Sequence, residues 1–488
     1  MNLVRLDPRS LDPRSVNPKT APPFPEAAKA DLRDTQLRRN VARATDTIQR
    51  KRAALVEEKP DWQALRDAGA AIRGEALANL DRYLLQFEER FQAAGGTVHW
   101  AANAAEANRI VLGLLRESAA QEVIKIKSMT TAEIGLNEFL AQHGVTAHET
   151  DLAELILQLG GDQPSHIVVP ALHKNRQQVR EIFAHTMGLP DLSDDPEALT
   201  AAARQYLREK FLRVKTAICG ANFLIAETGG VAIVESEGNG RMCLTLPDTL
   251  IAIAGIEKVI PRFADLEVLL QTLPRSATGE RMNPYNSIWS GVLPGDGPKH
   301  MHVILLDNGR SRVLRDAIGR QALQCIRCGA CQNACPVYRQ TGGHAYGSVY
   351  AGPIGAILTP QLEEMRHAES LPYASSLCGA CYEVCPVKIN IPEVLVYLRA
   401  RVVDRRRRKL ASLFDQERAG MMMAAAVFAN RRRYEAAQRL ARTAQRAVRH
   451  GDAWYHWLPG MAGRWTETRD LAPLPQQTFR EWWQRRRS

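Results

Sequence analysis

Seven of the nine cysteines in this 488-residue chain lie between Cys325 and Cys385. Nine cysteines are too few for a disulfide framework in a chain of this length, so their crowding predicts a localised metal or cofactor site. Hydrophobic residues make up 45% of the sequence and charged residues 24%, which is typical of a globular protein with a large core. At about 150 residues per domain, the length predicts roughly three domains.

The first cysteine run has the spacing C-x2-C-x2-C-x3-C-P. Its members are Cys325, Cys328, Cys331, Cys335 and Pro336. This spacing is typical of bacterial ferredoxins, whose thiolates hold a [4Fe–4S] cluster while the fourth cysteine binds the other cluster. Thiolates are the soft ligands that such clusters require. The small residues Gly329 and Ala330 allow the loop to approach a cluster closely.

The second run repeats this motif without its first cysteine. Its members are Cys378, Cys381, Cys385 and Pro386. Ser375 stands where the missing cysteine would be. The crossed ferredoxin rule assigns Cys325, Cys328, Cys331 and Cys385 to the first cluster, and Cys335, Cys378 and Cys381 to the second.

One iron of the second cluster therefore lacks a cysteine from this chain. Ser375, His344, water or a partner's cysteine are the candidate ligands, and a three-iron cluster is the alternative. We expect this cluster to be labile or completed by a partner. Zinc is the main competing metal, but a zinc site would leave a third cysteine pair and both Cys-Pro endings unexplained. Cys219 and Cys243 are predicted to be buried in apolar strands.

The middle of the chain alternates short apolar strands with helices, which predicts an α/β fold with a mainly parallel sheet. Strands are expected at 97–100, 123–126, 145–148, 166–169, 217–220, 223–226, 230–235, 250–254 and 302–306. No complete dinucleotide fingerprint follows a strand. Glycine-rich turns at 227–230 and 237–240 are mainly connections. In the competing enzyme hypothesis, Glu227 or Glu235 beside them contacts a carboxylate or acyl substrate.

Both ends of the chain differ from this body. Residues 1–28 contain a direct repeat, LDPRS at 6–10 and 11–15, and are expected to be a flexible extension. Residues 29–94 and 387–450 have helical spacing, and a helix is expected at 311–323. Residues 401–488 carry 20 Lys and Arg against 8 Asp and Glu. This basic tail is interpreted as a solvated or subunit-facing surface, and no nucleic acid is expected. A zinc-containing nucleic-acid-binding protein is a third hypothesis.

No apolar run is long enough for a membrane span, and no signal peptide is recognisable. We therefore expect a cytoplasmic protein that could reach a membrane surface only through partners.

Several motifs resemble the LutB (LldF) family of lactate-utilization iron–sulfur proteins. They are CIRCGAC at 325–331, CPVY at 335–338, GPIG at 352–355, LPYA at 371–374 and CPVKI at 385–389. Weaker matches are ATDTI at 44–48, DW at 61–62, EAN at 106–108 and DNGR at 307–310. Only the first 28 or so residues lack a counterpart.

The resemblance implies a domain plan. It comprises the extension (1–28), a helical region (29–94), an α/β LUD domain similar in fold to the NagB/RpiA/CoA-transferase group (95–310), an α-helical ferredoxin domain with two [4Fe–4S] clusters (311–400), and a helical basic segment (401–488). The family's ligand positions match the seven cysteines with the same division between clusters.

The resemblance also implies electron transfer during L-lactate oxidation to pyruvate, with LutA-like and LutC-like partners and an electron acceptor. A subunit serving another 2-hydroxy acid or glycerol phosphate dehydrogenase is the nearest alternative. No catalytic residue is predicted, so the chain is expected to lack its own substrate-oxidising site. Backbone N–H groups of the Gly329 and Gly379 loops are expected to donate to sulfur, and Arg327 and Lys388 to raise the cluster potential.

Overall fold

Ten strands lie in the middle of the chain in the computed structural model, which describes residues 15–408, 416–448, 454–458, 460, 463–467 and 469–487. The strands are β1 (Thr97–Ala101), β2 (Glu122–Lys125), β3 (Thr146–Glu149), β4 (Thr216–Cys219), β5 (Phe223–Ile225), β6 (Gly230–Glu235), β7 (Thr249–Gly255), β8 (Val259–Ile260), β9 (Tyr285–Trp289) and β10 (His300–Leu306). Apart from Ser15, the repeat at 6–15 lies outside the described residues.

Six strands form a parallel sheet in the order β1-β10-β7-β4-β2-β3. Every residue of β4 and β7 is buried, as expected when helices cover both faces of a parallel sheet. The predicted α/β fold with a parallel sheet is therefore confirmed.

The remaining four strands form a second sheet in the order β8-β5-β6-β9. Strand β5 pairs antiparallel with β6, and β6 pairs antiparallel with β9. The short turn at 227–229 explains the first pairing, since a tight turn can join only antiparallel neighbours. This sheet was not expected as a separate unit, and β9 was not expected at all.

Helices surround both sheets. Before the first strand lie α1 (Phe24–Asp31), α2 (Thr35–Glu57), α3 (Trp62–Ala78) and α4 (Leu80–Ala93). Within the α/β part lie α5 (Ala104–Glu117), α6 (Met129–Glu133), α7 (Leu136–Gln142), α8 (Leu152–Leu159), α9 (Arg176–Thr186), α10 (Pro196–Arg213), α11 (Asn239–Thr245) and α12 (Phe263–Ala277). The cysteine part contains α13 (Arg310–Leu314), α14 (Ala330–Asn333), α15 (Tyr338–Thr341), α16 (Gly352–Leu362), α17 (Met365–Ala368), α18 (Ala380–Glu383) and α19 (Ile391–Arg407).

Three local predictions were wrong. Residues 166–169 form a loop rather than a strand, and Cys243 lies in α11 rather than in a strand. The helix expected at 311–323 is interrupted because the Asp316 carboxylate accepts hydrogen bonds from the backbone N–H groups of Ile318 and Gly319.

Helix α10 was missed, although its start carries recognisable signals. Pro196 occupies the first turn, and the Asp195 carboxylate caps the N–H groups of Glu197 and Ala198.

Two hydrophobic cores lie within the α/β part, the larger with help from α4. A third core joins α2, the second sheet and the cysteine part, with Val41, Phe223 and Tyr338 among its fully buried members. Residues Met1–Val402 accordingly form one compact unit. The cysteine loops are thus held between the N-terminal helices and the α/β part.

Residues Val403–Ser488 form the second unit. It contains α20 (Gln416–Phe428), α21 (Arg431–Val448), α22 (Gly463–Thr466) and α23 (Phe479–Arg487). The Arg442 guanidinium binds both carboxylate oxygens of Glu481 at 3.0 Å, which ties α21 to α23. No helix in the described ranges is both long and apolar enough to cross a bilayer.

Candidate metal centre

The first cysteine loop combines two left-handed residues with a very short helix. Arg327 has φ 62° and Gly329 has φ 74°. These two residues reverse the chain on either side of Cys328, and α14 then starts at Ala330 and carries Cys331. Only glycine adopts such a backbone without strain. A Cβ on Gly329 would also lie 3.2 Å from His166 and Val168, so the loop presses directly on the α/β part.

The second loop repeats this backbone fifty positions later. Leu377 has φ 56° and Gly379 has φ 86°, and α18 starts at Ala380 and carries Cys381. The match extends to the missing ligand. The Leu377 N–H donates to Ser375 Oγ at 3.1 Å, just as the Arg327 N–H donates to Cys325 Sγ at 3.3 Å. Ser375 therefore has the local geometry of a ligand cysteine.

Four cysteines line one small, closed cavity: Cys325, Cys328, Cys331 and Cys385. All four are buried. Burial raises the pKa of Cys328, and the nearby thiols of Cys325 and Cys385 raise it further. Only a strongly cationic centre would make several adjacent buried thiols ionise together. The donor set and its apolar surroundings therefore fit an iron–sulfur cluster.

The other three cysteines form a neighbouring group at the surface. Cys335 and Cys381 are buried, whereas Cys378 is exposed. Burial raises the pKa of Cys381 to about 12, and Cys335 and Cys378 act in the same direction. Cys381 also contributes to the raised pKa of Cys331, after burial and the first-group thiols Cys325 and Cys328. The two groups of thiols are therefore neighbours.

Backbone N–H groups donate to sulfur, and one of these donors, Arg327, lies in the Gly329 loop as expected. Arg327 donates to Cys325, Tyr338 to Cys335 at 3.5 Å, and Ile389 to Cys385 at 3.4 Å. Within the described loops, Gly329 and Gly379 make no such bond. The glycines act by turning the backbone, so that their neighbours face sulfur.

Three arginines from the N-terminal helices clamp the cysteine loops. Arg66 donates to the carbonyls of Cys385 at 2.9 Å and Tyr382 at 3.0 Å, and Arg52 donates to that of Val384 at 3.1 Å. The buried Arg73 reaches the carbonyls of Leu323 and Gln324, just before Cys325. Sequence reasoning missed all three. Their only signal was polar residues on the buried face of a helix.

Of the two cations predicted to tune the potential, Arg327 has the less exposed side chain, at 9% against 27% for Lys388. The Arg327 guanidinium contacts Glu257 at 3.3 Å and lies over the Tyr350 ring. Lys388 is partly exposed and forms an ion pair with Asp67. A paired surface charge acts weakly at a distance. Arg327 is therefore the stronger electrostatic neighbour of the first cavity.

The loop at 165–170 packs onto the first cysteine loop. His166 Nδ1 accepts from the N–H groups of Val168 and Val169 at 2.9 Å, and its Nε2 lies 3.1 Å from Asn333 Oδ1. Burial lowers the pKa of His166 to about 3, which fits a neutral ring. The hydrogen bonds of this apolar stretch thus go to a side chain rather than to a neighbouring strand. This is why the strand prediction at 166–169 failed.

His344, the histidine considered as an iron ligand, has another environment. Its Nε2 lies 2.9 Å from the Gln163 carbonyl, and its ring packs against His173. Asp162, His173 and His344 lie close enough to share a metal ion. However, the Lys174 ammonium forms an ion pair with Asp162, which puts a competing cation in that position.

The two glutamates of the enzyme hypothesis lie apart and are both engaged by backbone. Glu227 accepts from the N–H of Phe263 at 2.8 Å, at the start of α12. Glu235 accepts from the N–H groups of Glu237 and Gly238. Glu235 also lines a cavity at the carboxyl ends of the parallel strands, and Glu227 lines a different one.

Comparison with known proteins agrees with this arrangement. Residues 84–306 match the LUD domain, and residues 321–389 match the 4Fe-4S dicluster domain. Lactate utilization protein B of Oceanobacillus iheyensis is 43% identical over 92% of this chain and 93% of its own length. The protein of that name from an Exiguobacterium strain is 44% identical over 95% and 97%. This chain belongs to the lactate utilization protein B family.

Two further similarities were found. An uncharacterized electron transport protein of Escherichia coli, YkgF, is 40% identical over 95% of this chain and 96% of its own length. A solved duf162 family protein from Deinococcus radiodurans covers 46% of this chain and 98% of its own at 16% identity, with a TM-score of 0.25, which is too weak to carry an argument. The chain thus combines a LUD domain with a domain that binds [4Fe–4S] clusters.

Proposed function

We propose that this protein is an electron relay in L-lactate oxidation to pyruvate, working in a complex with LutA-like and LutC-like subunits and an electron acceptor. The observation that carries the proposal is the gathering of four buried thiols around one cavity, with three more beside it. The names of the relatives supply the lactate pathway. A [4Fe–4S] cluster, when bound, accepts and releases one electron at a time.

We assign the ligands as the spacing predicts. Cys325, Cys328, Cys331 and Cys385 would hold the first cluster, and Cys335, Cys378 and Cys381 the second. The N–H groups of Arg327, Tyr338 and Ile389 would stabilise the charge on their sulfur partners. Arg52, Arg66, Arg73 and Arg327 would favour the more negative, reduced state of the first cluster. The exposure of Cys378 makes the second site the one that a partner protein can approach.

The relay is tested by anaerobic purification alone and with both partners. We expect iron and sulfide in the protein, cluster signals by electron paramagnetic resonance, and cluster reduction by lactate only when the partners are present. Zinc in place of iron would refute the proposal. Lactate-dependent reduction by this chain alone would instead favour an enzyme with its own substrate site.

We further propose that Ser375 Oγ supplies the fourth protein ligand of the second cluster. Its support is the shared geometry of Ser375 and Cys325, each accepting from the N–H two residues ahead. An oxygen ligand at the surface fits a labile cluster, so the isolated protein should show fewer than eight irons or a three-iron resonance.

Two substitutions test Ser375. Ser375→Ala should increase the three-iron signal, whereas Ser375→Cys should give a full and stable pair of clusters. The adjacent exposed Ser376 provides the matched control, Ser376→Ala, which should behave as the unmodified protein. A Ser375→Ala protein with unchanged iron content and spectra would assign the position to water or to a partner's cysteine.

A further inference from the structure

A cavity of about 260 Å³ opens at the carboxyl ends of the parallel strands, apart from the cysteine cavity. We call it the inner pocket. Its walls come from the segments after β2, β3, β4 and β7 and from the end of β6; the residues used below are Lys127, Asp151, Glu154, Glu237, Lys258 and Arg327. In open α/β sheets, ligands bind outside the carboxyl ends of the strands. The volume is below the roughly 300–1,000 Å³ of pockets for drug-sized ligands, so a small molecule fits best.

Two basic side chains, Lys258 and Arg327, line the inner pocket. Lys258 is 7% exposed and, among the described residues, forms no hydrogen bond or ion pair. Burial lowers the pKa of Lys258 to about 7, and the nearby Arg327 acts in the same direction. Arg327 uses one guanidinium nitrogen on Glu257, while its buried Nη1 has no hydrogen-bond partner in the described part of the chain. An anionic ligand would stabilise the charged form of Lys258, so a buried lysine without an ion pair at a pocket indicates a ligand of opposite charge.

The opposite wall is acidic, and its groups are already engaged. Glu154 pairs with Lys127 at 3.1 Å, and Glu237 accepts from the Leu152 N–H at 2.9 Å. Burial raises the pKa of Asp151 to about 8, with Glu154 acting in the same direction, so its carboxyl keeps a proton at neutral pH. This wall would repel a dianion such as phosphate but would accept a hydroxyl or carbonyl group next to a single carboxylate.

We propose that the inner pocket binds a small hydroxy or oxo acid, with its carboxylate held by Lys258 and Arg327 and its polar end facing Asp151. The binding chemistry does not depend on the proposed electron relay, although the choice of L-lactate and pyruvate as probes does. No relative's name assigns a site here, and Glu235 of the enzyme hypothesis lies in the wall of this pocket.

The inner pocket is separated from the cysteine cavity by a single layer of residues. Arg327 and Ile167 line both. The Arg327 backbone N–H donates to Cys325 Sγ, and the same residue lines the inner pocket. A bound carboxylate would partly neutralise Arg327, so its binding should shift the potential of the first cluster to a more negative value.

Calorimetric titration of the anaerobically prepared full-length protein tests the site. The probes are L-lactate, pyruvate, lactamide and inorganic phosphate. We expect saturable binding of at least one acid and at least tenfold weaker binding of lactamide, which has the shape of lactate without its charge. Equal binding of lactamide, tighter binding of phosphate, or no binding of either acid would overturn the proposal.

Two lysine substitutions, one in the inner pocket and one at the surface, provide a matched comparison. Lys258→Met should weaken acid binding by about tenfold or more and raise the acid concentration needed for the shift in potential by the same factor, while Lys299→Met, at an exposed lysine, should change neither. Lys258→Met should not lower the melting temperature, since an unpaired buried charge is removed. Unchanged acid affinity in Lys258→Met would refute the assignment. If this variant does not fold, the comparison of lactate with lactamide on the unmodified protein decides.

The two proposals fail separately. If the protein binds an acid but lactate does not reduce its clusters in the presence of the partners, the relay proposal is refuted and the binding-site proposal stands. If lactate reduces the clusters but the protein binds neither acid, the binding-site proposal is refuted and the relay proposal stands.

Discussion

The two cysteine loops share a backbone but differ in their surroundings. In the first loop, Gly329 contacts the α/β part and all its cysteines are buried. In the second, nothing lies within 4 Å of a Cβ placed on Gly379, and Cys378 is exposed. The same local geometry thus produces one enclosed site and one open site. The local motif sets ligand direction, while packing decides which site is protected and which is accessible.

The largest expected effect is the loss of the enclosed site. Cys331→Ser should destroy the first cluster and electron transfer, because a serine hydroxyl is a poor substitute for a buried thiolate. The α/β part should stay folded, since two of its cores contain no residue of the cysteine loops. Iron analysis and circular dichroism measure the two outcomes. Cys243→Ser, at a buried cysteine in α11, is the control and should have the iron content of the unmodified protein. Global unfolding of Cys331→Ser would contradict this independence.

The second-largest expected effect is a difference between the two sites in their sensitivity to oxidation. Brief exposure to air should convert the second cluster to a three-iron form before the first cluster changes, because Cys378 is exposed. Electron paramagnetic resonance during a timed exposure follows both clusters. Simultaneous loss of both would mean that the difference in burial does not control their stability.

The two glycines allow a smaller, quantitative comparison. Alanine at either position has to adopt a left-handed backbone, which costs about 1–2 kcal/mol. Gly329→Ala additionally meets His166 and Val168 at 3.2 Å, whereas Gly379→Ala meets nothing. We therefore expect a greater loss of unfolding free energy for Gly329→Ala, as measured by urea denaturation. Equal losses would show that the contact relaxes freely.

The smallest expected effect concerns charge. Arg52→Gln should lower the potential of the first cluster by on the order of tens of millivolts, because a partly buried charge near Cys328 and Cys385 is removed. Lys388→Gln should change it less, since Asp67 already neutralises that ammonium. Redox titration of both variants measures the two shifts in potential. A larger shift for Lys388→Gln than for Arg52→Gln would contradict the prediction.

Much of the α/β architecture was readable from sequence because buried parallel strands are short apolar runs. Eight of the nine predicted strands overlap an observed one, and the exception, 166–169, is instructive. Ile167 is buried, and Val168 and Val169 are partly buried, because this stretch packs on a cysteine loop. The pattern of apolar residues indicates that a segment is buried, but not which surface it packs against.

The spacing also predicted which four thiols lie around one cavity, because cysteine spacing reflects loop geometry, while their assignment as cluster ligands stays a prediction. The arginine clamp was not, because Arg52, Arg66 and Arg73 lie more than 250 positions before the first ligand in the chain. Their role depends on how α2 and α3 pack, which no local pattern reveals. The domain boundaries, the partners and the localisation stay predictions.

The arginine clamp has a consequence for the life of the protein. Arg52 and Arg66 bind backbone carbonyls, and within the described ranges no carboxylate pairs with either. The negative charge that offsets them must come from thiolates, which exist only after metal loading. A newly made chain without its inorganic centre therefore holds unbalanced positive charge beneath its surface. In iron-limited cells, we therefore expect the metal-free protein to unfold and be degraded rather than to accumulate in a folded, inactive form.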